Sequence, residues 1–366
     1  MSDLKYWLGF NLVKGIGPSK IQSLLDYYGS LPSAWQATEF ELQKLGFDKR
    51  TIHSFRSTRQ ALDLDKALAR VHQANIQLIS WDSPDYPTYL KEIPHAPRLL
   101  YIRGTLEELD QWAVAIVGTR KATAYGKQVT KELVTELVKQ NITIVSGLAR
   151  GIDAMAHETA VSLNGRTIGV LGSGVDSIYP AEHRHLAQKI ADGHGAIISE
   201  YGLGVKPEAK NFPPRNRIIS GLSLGVVVVE AGERSGALIT TNFALEQGRE
   251  VFAVPGSIKS PLSRGPNQLI QQGAKLVSKV EDILEELNLS VTVAQTAVQM
   301  ALPDSTEEMQ LYKQLAHEPI HIDDLCRLTG MPANLVSSTL TLMELKGIVQ
   351  RVDQMNFARL HDAPAS

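Results

Sequence analysis

The stretch Ala113-Val114-Ala115-Ile116-Val117-Gly118-Thr119-Arg120 sets the reading of the fold. Five apolar residues run without a polar interruption into a glycine, a hydroxyl and an arginine, which reads as a strand ending in a tight turn. The pattern recurs downstream. Residues 142–145 run into Ser146-Gly147-Leu148-Ala149-Arg150-Gly151, and 168–171 into Gly172-Ser173-Gly174. Residues 196–199 run into Glu200-Tyr201-Gly202, 226–229 into Glu230-Ala231-Gly232, and 251–254 into Pro255-Gly256-Ser257. Between these runs lie amphipathic stretches such as 127–139 and 239–247. Strands that alternate with helices predict a parallel sheet with helices on both faces, a Rossmann-like α/β core. The four valines at 226–229 show no polar alternation, as befits a central strand covered on both sides.

Outward from this core the texture changes. Residues 1–75 read as an all-helical domain built from two cycles. Leu12, Ile16, Ile21, Leu24 and Leu25 surround the break Gly15-Ile16-Gly17-Pro18; Phe40, Leu42, Leu45, Ile52 and Phe55 surround Gly46-Phe47. Residues 76–286 form the extended Rossmann-like domain, whose proline- and aromatic-rich opening, 76–105, reads as an irregular extension. Residues 287–304 read as a linker. Over 305–366 a short strand, a capped helix, the amphipathic helix 335–346 and a small hairpin suggest a winged-helix domain.

Composition bounds the function. The apolar share of 43% suits globular cores, and the single cysteine, Cys326, excludes an internal disulfide and fits a reducing compartment. No apolar run approaches the roughly 18 residues of a membrane span, and the first ten residues lack a signal-peptide core, so a cytoplasmic protein is expected. The net charge of −2 gives no global attraction to nucleic acid, so cations that hold a polyanion must be clustered locally.

The strand ends carry the chemistry. In an open parallel sheet, ligands bind outside the carboxyl ends of the strands. Glycines let backbone amides approach an anion, helix N-termini add positive potential, and arginine supplies planar donors for phosphate. Gly118, Thr119, Arg120, Gly147 and Arg150 are therefore candidate phosphate-binding residues. The segment Lys210-Asn211-Phe212-Pro213-Pro214-Arg215-Asn216-Arg217 places cations and amides around one ring, the composition of a base-stacking platform, with Phe212 expected in a loop. Lys210, Phe212, Arg215, Asn216 and Arg217 join the candidates. Ser235 and Gly236 follow the central strand and open a helix.

That layout also occurs in nucleotide-cleaving enzymes. The alternative is a Rossmann-like nucleotide hydrolase with Glu230 or Glu200 as general base. Nicotinamide and flavin cofactors are not expected, because Ser177 follows Gly172-Ser173-Gly174 where the dinucleotide fingerprint wants glycine or alanine. His183, His185 and His194 have no cysteine companion and no H-E-x-x-H pattern, so no metal is expected. Asp153 and His157 read as a capping acid and a buried or surface histidine. Gly15-Ile16-Gly17 reads equally as a phosphate-holding turn or a structural one. Helix 335–346 carries one cation, Lys346, which favours protein contact over a duplex regulator reading the major groove.

Taken together, these segments resemble the DprA/Smf family (DNA-processing protein A). The likeness rests on Ala115-Ile116-Val117-Gly118-Thr119-Arg120, Ser146-Gly147-Leu148-Ala149-Arg150-Gly151-Ile152-Asp153 and Tyr179-Pro180. It continues through Phe212-Pro213, Arg215-Asn216-Arg217-Ile218-Ile219-Ser220, Ser235-Gly236-Ala237-Leu238-Ile239-Thr240 and Val254-Pro255-Gly256-Ser257. It spans about residues 80–286; the flanks are similar to a sterile-alpha-motif or helix-hairpin-helix domain and to a winged helix. The resemblance implies a non-enzymatic protein that binds and protects incoming single-stranded DNA during natural transformation. It also implies loading of RecA recombinase and a homodimer formed through the Rossmann-like domain. By the same resemblance Arg120 contacts phosphate, and Lys210, Phe212, Arg215 and Arg217 line the DNA pocket.

Overall fold

A computed structural model describes residues 3–289, 305–316, 319–345, 349–352 and 355–359. The chain forms two compact units, residues 1–283 and 284–366. Most of the expected linker, 290–304, lies outside the described residues, as do Lys346 and Gly347.

The first unit is organised by nine strands: β1 (Gln77–Ser80), β2 (Leu99–Gly104), β3 (Ala113–Val117), β4 (Thr143–Ser146), β5 (Thr167–Val170), β6 (Gly195–Ser199), β7 (Gly225–Val228), β8 (Glu250–Ala253) and β9 (Lys275–Leu276). Their order is β1-β2-β6-β5-β4-β3-β7-β8-β9. From β6 to β9 every pairing is parallel, with Ala115 opposite both Val145 and Val226. The six predicted strands are all present, each within one residue of the expected span. The extension did not turn out irregular. Its segments form β1 and β2, and β2 pairs antiparallel with β6 through Tyr101 opposite Ser199. The prolines sit in the connection between β1 and β2, where no ladder hydrogen bond is lost.

Six helices precede the sheet: α1 (Leu4–Leu12), α2 (Pro18–Tyr28), α3 (Leu31–Trp35), α4 (Glu39–Lys44), α5 (Lys49–Ala61) and α6 (Leu64–Gln73). Thr38 and Glu41 cap α4 reciprocally, and Asp48 accepts from the Thr51 amide to cap α5. Phe10, Trp35 and Phe55 form their centre, with ring centroids 5.0–5.6 Å apart. This cluster is continuous with Leu99, Tyr101, Leu148 and Leu171, so the helices cover one face of the sheet. The Tyr101 hydroxyl donates to Asn11 Oδ1 at 2.9 Å, and Asn11 donates to the Glu200 carbonyl.

The remaining helices are α7 (Thr88–Lys91), α8 (Ala124–Lys139), α9 (Ile152–Ser162), α10 (Arg184–Lys189), α11 (Phe212–Gly221), α12 (Ala237–Glu246), α13 (Arg264–Gln271) and α14 (Glu281–Glu286). Side chains from α7, α11, α12 and α13 pack on the opposite face, against Leu100, Ile102, Ala115 and Val226. The second unit has α15 (Thr306–Gln314), α16 (Ile322–Thr329) and α17 (Ala333–Leu345). Beside them lies an antiparallel sheet β10 (Ile320–His321), β12 (Asn356–Arg359), β11 (Val349–Arg351), a winged-helix arrangement. Leu311, Leu325, Val336, Leu340 and Phe357 form its core.

One core histidine makes folding pH-dependent. His157 on α9 is fully buried, with Nδ1 2.7 Å from the Thr167 hydroxyl. That hydroxyl donates to the Ile144 carbonyl, so it accepts from Nδ1–H, and burial with no partner at Nε2 keeps the ring neutral. Burial, with smaller contributions from His183 and Arg215, pushes its pKa down to about 3. Between pH 6.5 and 3 the unfolded chain takes a proton that the folded one refuses. The histidine's contribution is therefore complete above pH 6.5 and lost as pH falls towards 3. Urea denaturation should give a wild-type stability that falls across this window up to about 1.4 kcal/mol per pH unit more steeply than that of His157→Leu. Parallel curves for the two proteins would contradict the assignment.

Candidate nucleic-acid interface

Strands β3 and β7 are neighbours in the sheet, with Val117 opposite Val228. From β3 the chain goes on to β4 on one side, and from β7 to β8 on the other. The loops that leave them therefore diverge, and a crevice opens where they part. It is a basin of about 780 Å³. One wall is Gly118-Thr119-Arg120-Lys121, leaving β3. The opposite wall is Ser235-Gly236-Ala237, where α12 begins. Phe212, Pro213, Arg215 and Asn216 come from the start of α11, Ala149 and Asp153 from around the start of α9, and Tyr179 from the β5–α10 connection. Three helix N-termini thus converge on one concavity and bring positive potential to it, although the first amides of α12 are bonded to Ser235 and Gly236, that of α9 to the Thr119 carbonyl, and two residues of the first turn of α11 are prolines.

Local geometry explains the glycines. Gly151, between β4 and α9, has φ +80 and ψ −122, and a Cβ there would collide with the Thr119 carbonyl oxygen. A Cβ on Gly147 would lie 2.7 Å from the Arg215 guanidinium. These two turns hold the β3 and β4 exits against each other with no room for a side chain.

Arg120 is exposed, and its guanidinium carbon lies 5.9 Å from the Phe212 ring centroid. Among the described residues it has no carboxylate partner. Phe212 is half-buried; one edge rests on Gly172, and the Tyr179 ring, 40% exposed, lies 5.6 Å away at 36°. Cation and rings therefore face one space, and Lys121 stands beside Arg120 on the same wall.

Other predicted residues are placed differently. Phe212 is the first residue of α11 rather than part of a loop, because the two following prolines fit the first helical turn, where no amide partner is needed. Arg215 is 6% exposed; it donates to the Gly147 carbonyl at 2.8 Å and to the Val170 carbonyl. Burial pushes its pKa down to about 10, opposed by neighbouring Asp153 and reinforced by Arg120. It ties the ends of β4 and β5 together under the Phe212 ring, with only a small exposed part on the basin floor. Asp153, expected to cap the start of α9, lies in its first turn but accepts instead from the amides of Gly147 and Ala149 in the preceding loop, and burial raises its pKa.

Arg217 is turned away from the basin. Its guanidinium grips both oxygens of Glu200 at 2.6 and 2.8 Å and donates to the carbonyls of His95 and Pro214. Arg150 pairs with Glu182 at 2.5 Å near the basin's edge, and Lys210, 76% exposed, pairs with Glu208 at 2.7 Å outside the basin's lining. Asn216 donates to the Gly236 carbonyl at 3.3 Å, and Ser235 Oγ accepts from the Ala237 amide. The structure thus gathers Gly118, Thr119, Arg120, Phe212, Arg215, Asn216, Ser235 and Gly236 around one basin and sets Gly147 and Arg150 at a smaller adjoining hollow.

Both carboxylates of the hydrolase alternative are engaged elsewhere. Glu230, 2% exposed, accepts from the Thr123 amide at 2.9 Å and hydroxyl at 2.6 Å, closing the start of α8. Glu200 is held by Arg217. No cluster of three or more metal-ligating side chains occurs among the described residues. Sequence reasoning gave no role to Tyr179 or Lys121. The Tyr179-Pro180 dipeptide was visible, but nothing local shows that its ring meets Phe212 across 33 residues.

Residues 77–288 match the family model of DNA recombination-mediator protein A, and residues 294–355 match that of the DprA winged helix domain. Protein Smf of Synechocystis sp. is 37% identical, with 98% of this chain and 99% of that protein aligned. The X-ray structure of DNA processing protein A from Streptococcus pneumoniae superposes with a TM-score of 0.68 at 37% identity, over 77% of this chain and 97% of that one. DNA processing protein A from Helicobacter pylori, solved for its single-stranded DNA binding mode, gives a TM-score of 0.53 at 31% identity, over 59% and 96% of the two chains.

Proposed function

The chain belongs to the DNA recombination-mediator protein A (DprA/Smf) family, and from that premise we propose that it binds single-stranded DNA without sequence preference, in the basin at the β3/β7 divide. Arg120 and Lys121, with the converging helix N-termini, hold phosphates; Phe212 and Tyr179 offer faces to bases. The observation that carries this reading is Arg120, a cation without a carboxylate partner, poised 5.9 Å from a ring in an open basin. The family, and the binding described for the Helicobacter pylori relative, support a strand as the ligand. The sealed positions of Glu230 and Glu200 favour binding over hydrolysis.

On the same reading the protein works in the cytoplasm, protects incoming strands during natural transformation and passes them to RecA as a homodimer joined through the sheet unit. No helix among the described residues is long and apolar enough to cross a membrane. The β9 edge is unpaired among the described residues, and Leu245 and Ile258 are exposed on that unit, which suits self-association. Sedimentation equilibrium tests the dimer, and RecA filament assembly on strands coated with a single-strand-binding protein tests the loading.

Stacking and phosphate contact separate in a titration of fluorescent oligothymidylate. Phe212→Ala should weaken binding by about 1–3 kcal/mol, roughly 5- to 150-fold, while leaving the dependence of affinity on salt unchanged. If Phe212→Ala binds like wild type, the ring is not a stacking platform.

A further inference from the structure

A second cavity, of about 620 Å³, lies at the opposite edge of the sheet. It is bordered by Gln77 at the start of β1, Ile168 at the start of β5, and Gln111 just before β3, which puts it at the amino ends of the parallel strands. Its floor is apolar: Ile79, Ile168 and Leu222 are each at most 5% exposed. Tyr86 and Tyr89 form one side. Tyr86 is fixed by its hydroxyl bond to the Pro97 carbonyl at 2.7 Å. The Arg249 guanidinium already lies 5.0 Å from the Tyr89 ring centroid, so that ring is in contact with a planar cation.

Carboxylates outnumber cations here: Arg166 and Arg249 lie just behind the lining, against four acids in it. The lining carries the carboxylates of Asp85, Glu107, Glu108 and Asp110 and no basic residue. Glu107 and Asp110 are committed to Arg166, at 2.5 and 2.7 Å. Asp85 and Glu108 are exposed and have no ion-pair partner among the described residues. The rim repels a nucleic acid, and the carboxylates attract an ammonium or guanidinium group. The apolar floor excludes a purely polar cation as the best-fitting ligand, because filling it needs a hydrocarbon group beside the charge. The volume is that of a small-molecule or anchor-residue site.

We propose that this pocket receives a protein partner's segment that presents an apolar side chain next to an arginine or lysine. The site is independent of the strand basin. Leu222 directly follows α11, whose first residue is Phe212, so the two sites sit at opposite ends of a ten-residue helix about 15 Å long. A bound strand and a docked partner would not compete for the same surface.

The test uses the full-length, isotope-labelled chain and three probes: acetyl-leucyl-arginine methylamide, acetyl-leucyl-glutamate methylamide and spermidine. The arginine probe should shift backbone resonances of residues 84–89 and 106–111. Its Kd should rise roughly fivefold in Asp85→Asn/Glu108→Gln, as loss of two partly exposed ion pairs would give. The same variant should bind oligothymidylate within twofold of wild type, roughly the effect of a surface change far from the basin. Three results would overturn the proposal: no shifts with the arginine probe, equal shifts with the glutamate probe, or spermidine binding as tightly as the arginine probe. Because the strand basin is read separately, failure here leaves the single-strand reading standing, and the reverse also holds.

Discussion

Arg120→Ala combined with Lys210→Ala should remove most single-strand binding and leave the fold intact. Arg120 stands on an exposed turn, and no carboxylate among the described residues depends on it, so truncation leaves no buried group behind. A charge-assisted hydrogen bond contributes about 1.5–3 kcal/mol, so Arg120 alone should account for roughly a 10- to 150-fold loss. Lys210 contributes less, because its ammonium must leave Glu208 before it meets a phosphate; exposed pairs of that kind exchange at about 0–1 kcal/mol. The salt dependence gives a second readout. Each phosphate contact on a single strand adds about 0.7 to the slope of log affinity against log salt, so the double variant should lose roughly 0.7–1.4 of it. An unchanged slope would mean that these cations do not touch the strand, whatever happens to affinity. Circular dichroism and an unchanged urea midpoint establish that any loss is local.

The core of the fold was legible because parallel strands buried on both faces leave unbroken apolar runs, and the run at 226–229 is the strand that pairs with β3 at the sheet centre. The edge that carries the candidate basin was legible for a related reason: glycine exits from successive parallel strands all lie at one edge, and the divide between β3 and β7 follows from strand order. The antiparallel pair β1 and β2 was hidden. Its strands lie among prolines and aromatics that serve as connections, and β6, the partner of β2, is almost a hundred residues away. The local pattern of Lys210 to Arg217 also misled. Three cations near one ring suggest a single surface, but Lys210 lies before α11, and from Phe212 onward the residues lie on that helix, where successive positions are rotated by about 100°. Phe212, Arg215 and Asn216 fall towards the basin, while Arg217 turns inward. No short-range pattern records that Glu200 and the His95 carbonyl wait for it there.

Arg217 therefore offers the sharpest separation of a structural cation from a ligand-holding one. Its guanidinium has a side-chain exposure of 11%, and Glu200 of 17%; two parallel bonds join them at the end of β6. Arg217→Met removes one partner and leaves a carboxylate in a place built for a pair. That step should cost about 3–5 kcal/mol, a large share of a domain's stability. Replacing both, as Arg217→Met with Glu200→Leu, removes the stranded charge along with its partner and should recover much of the loss, since apolar pairs of similar volume often serve as well. The lost donors to the His95 and Pro214 carbonyls keep the recovery incomplete. Urea denaturation of the two variants measures both effects. Strand affinity decides the rest: at a temperature where the double variant is fully folded, it should bind oligothymidylate nearly as wild type does, whereas Arg120→Ala should not. If Arg217→Met instead unfolds at the wild-type midpoint and loses strand binding, then the ion pair is dispensable and the guanidinium swings out to hold a phosphate. In that case α11 would have to reorganise when the strand arrives.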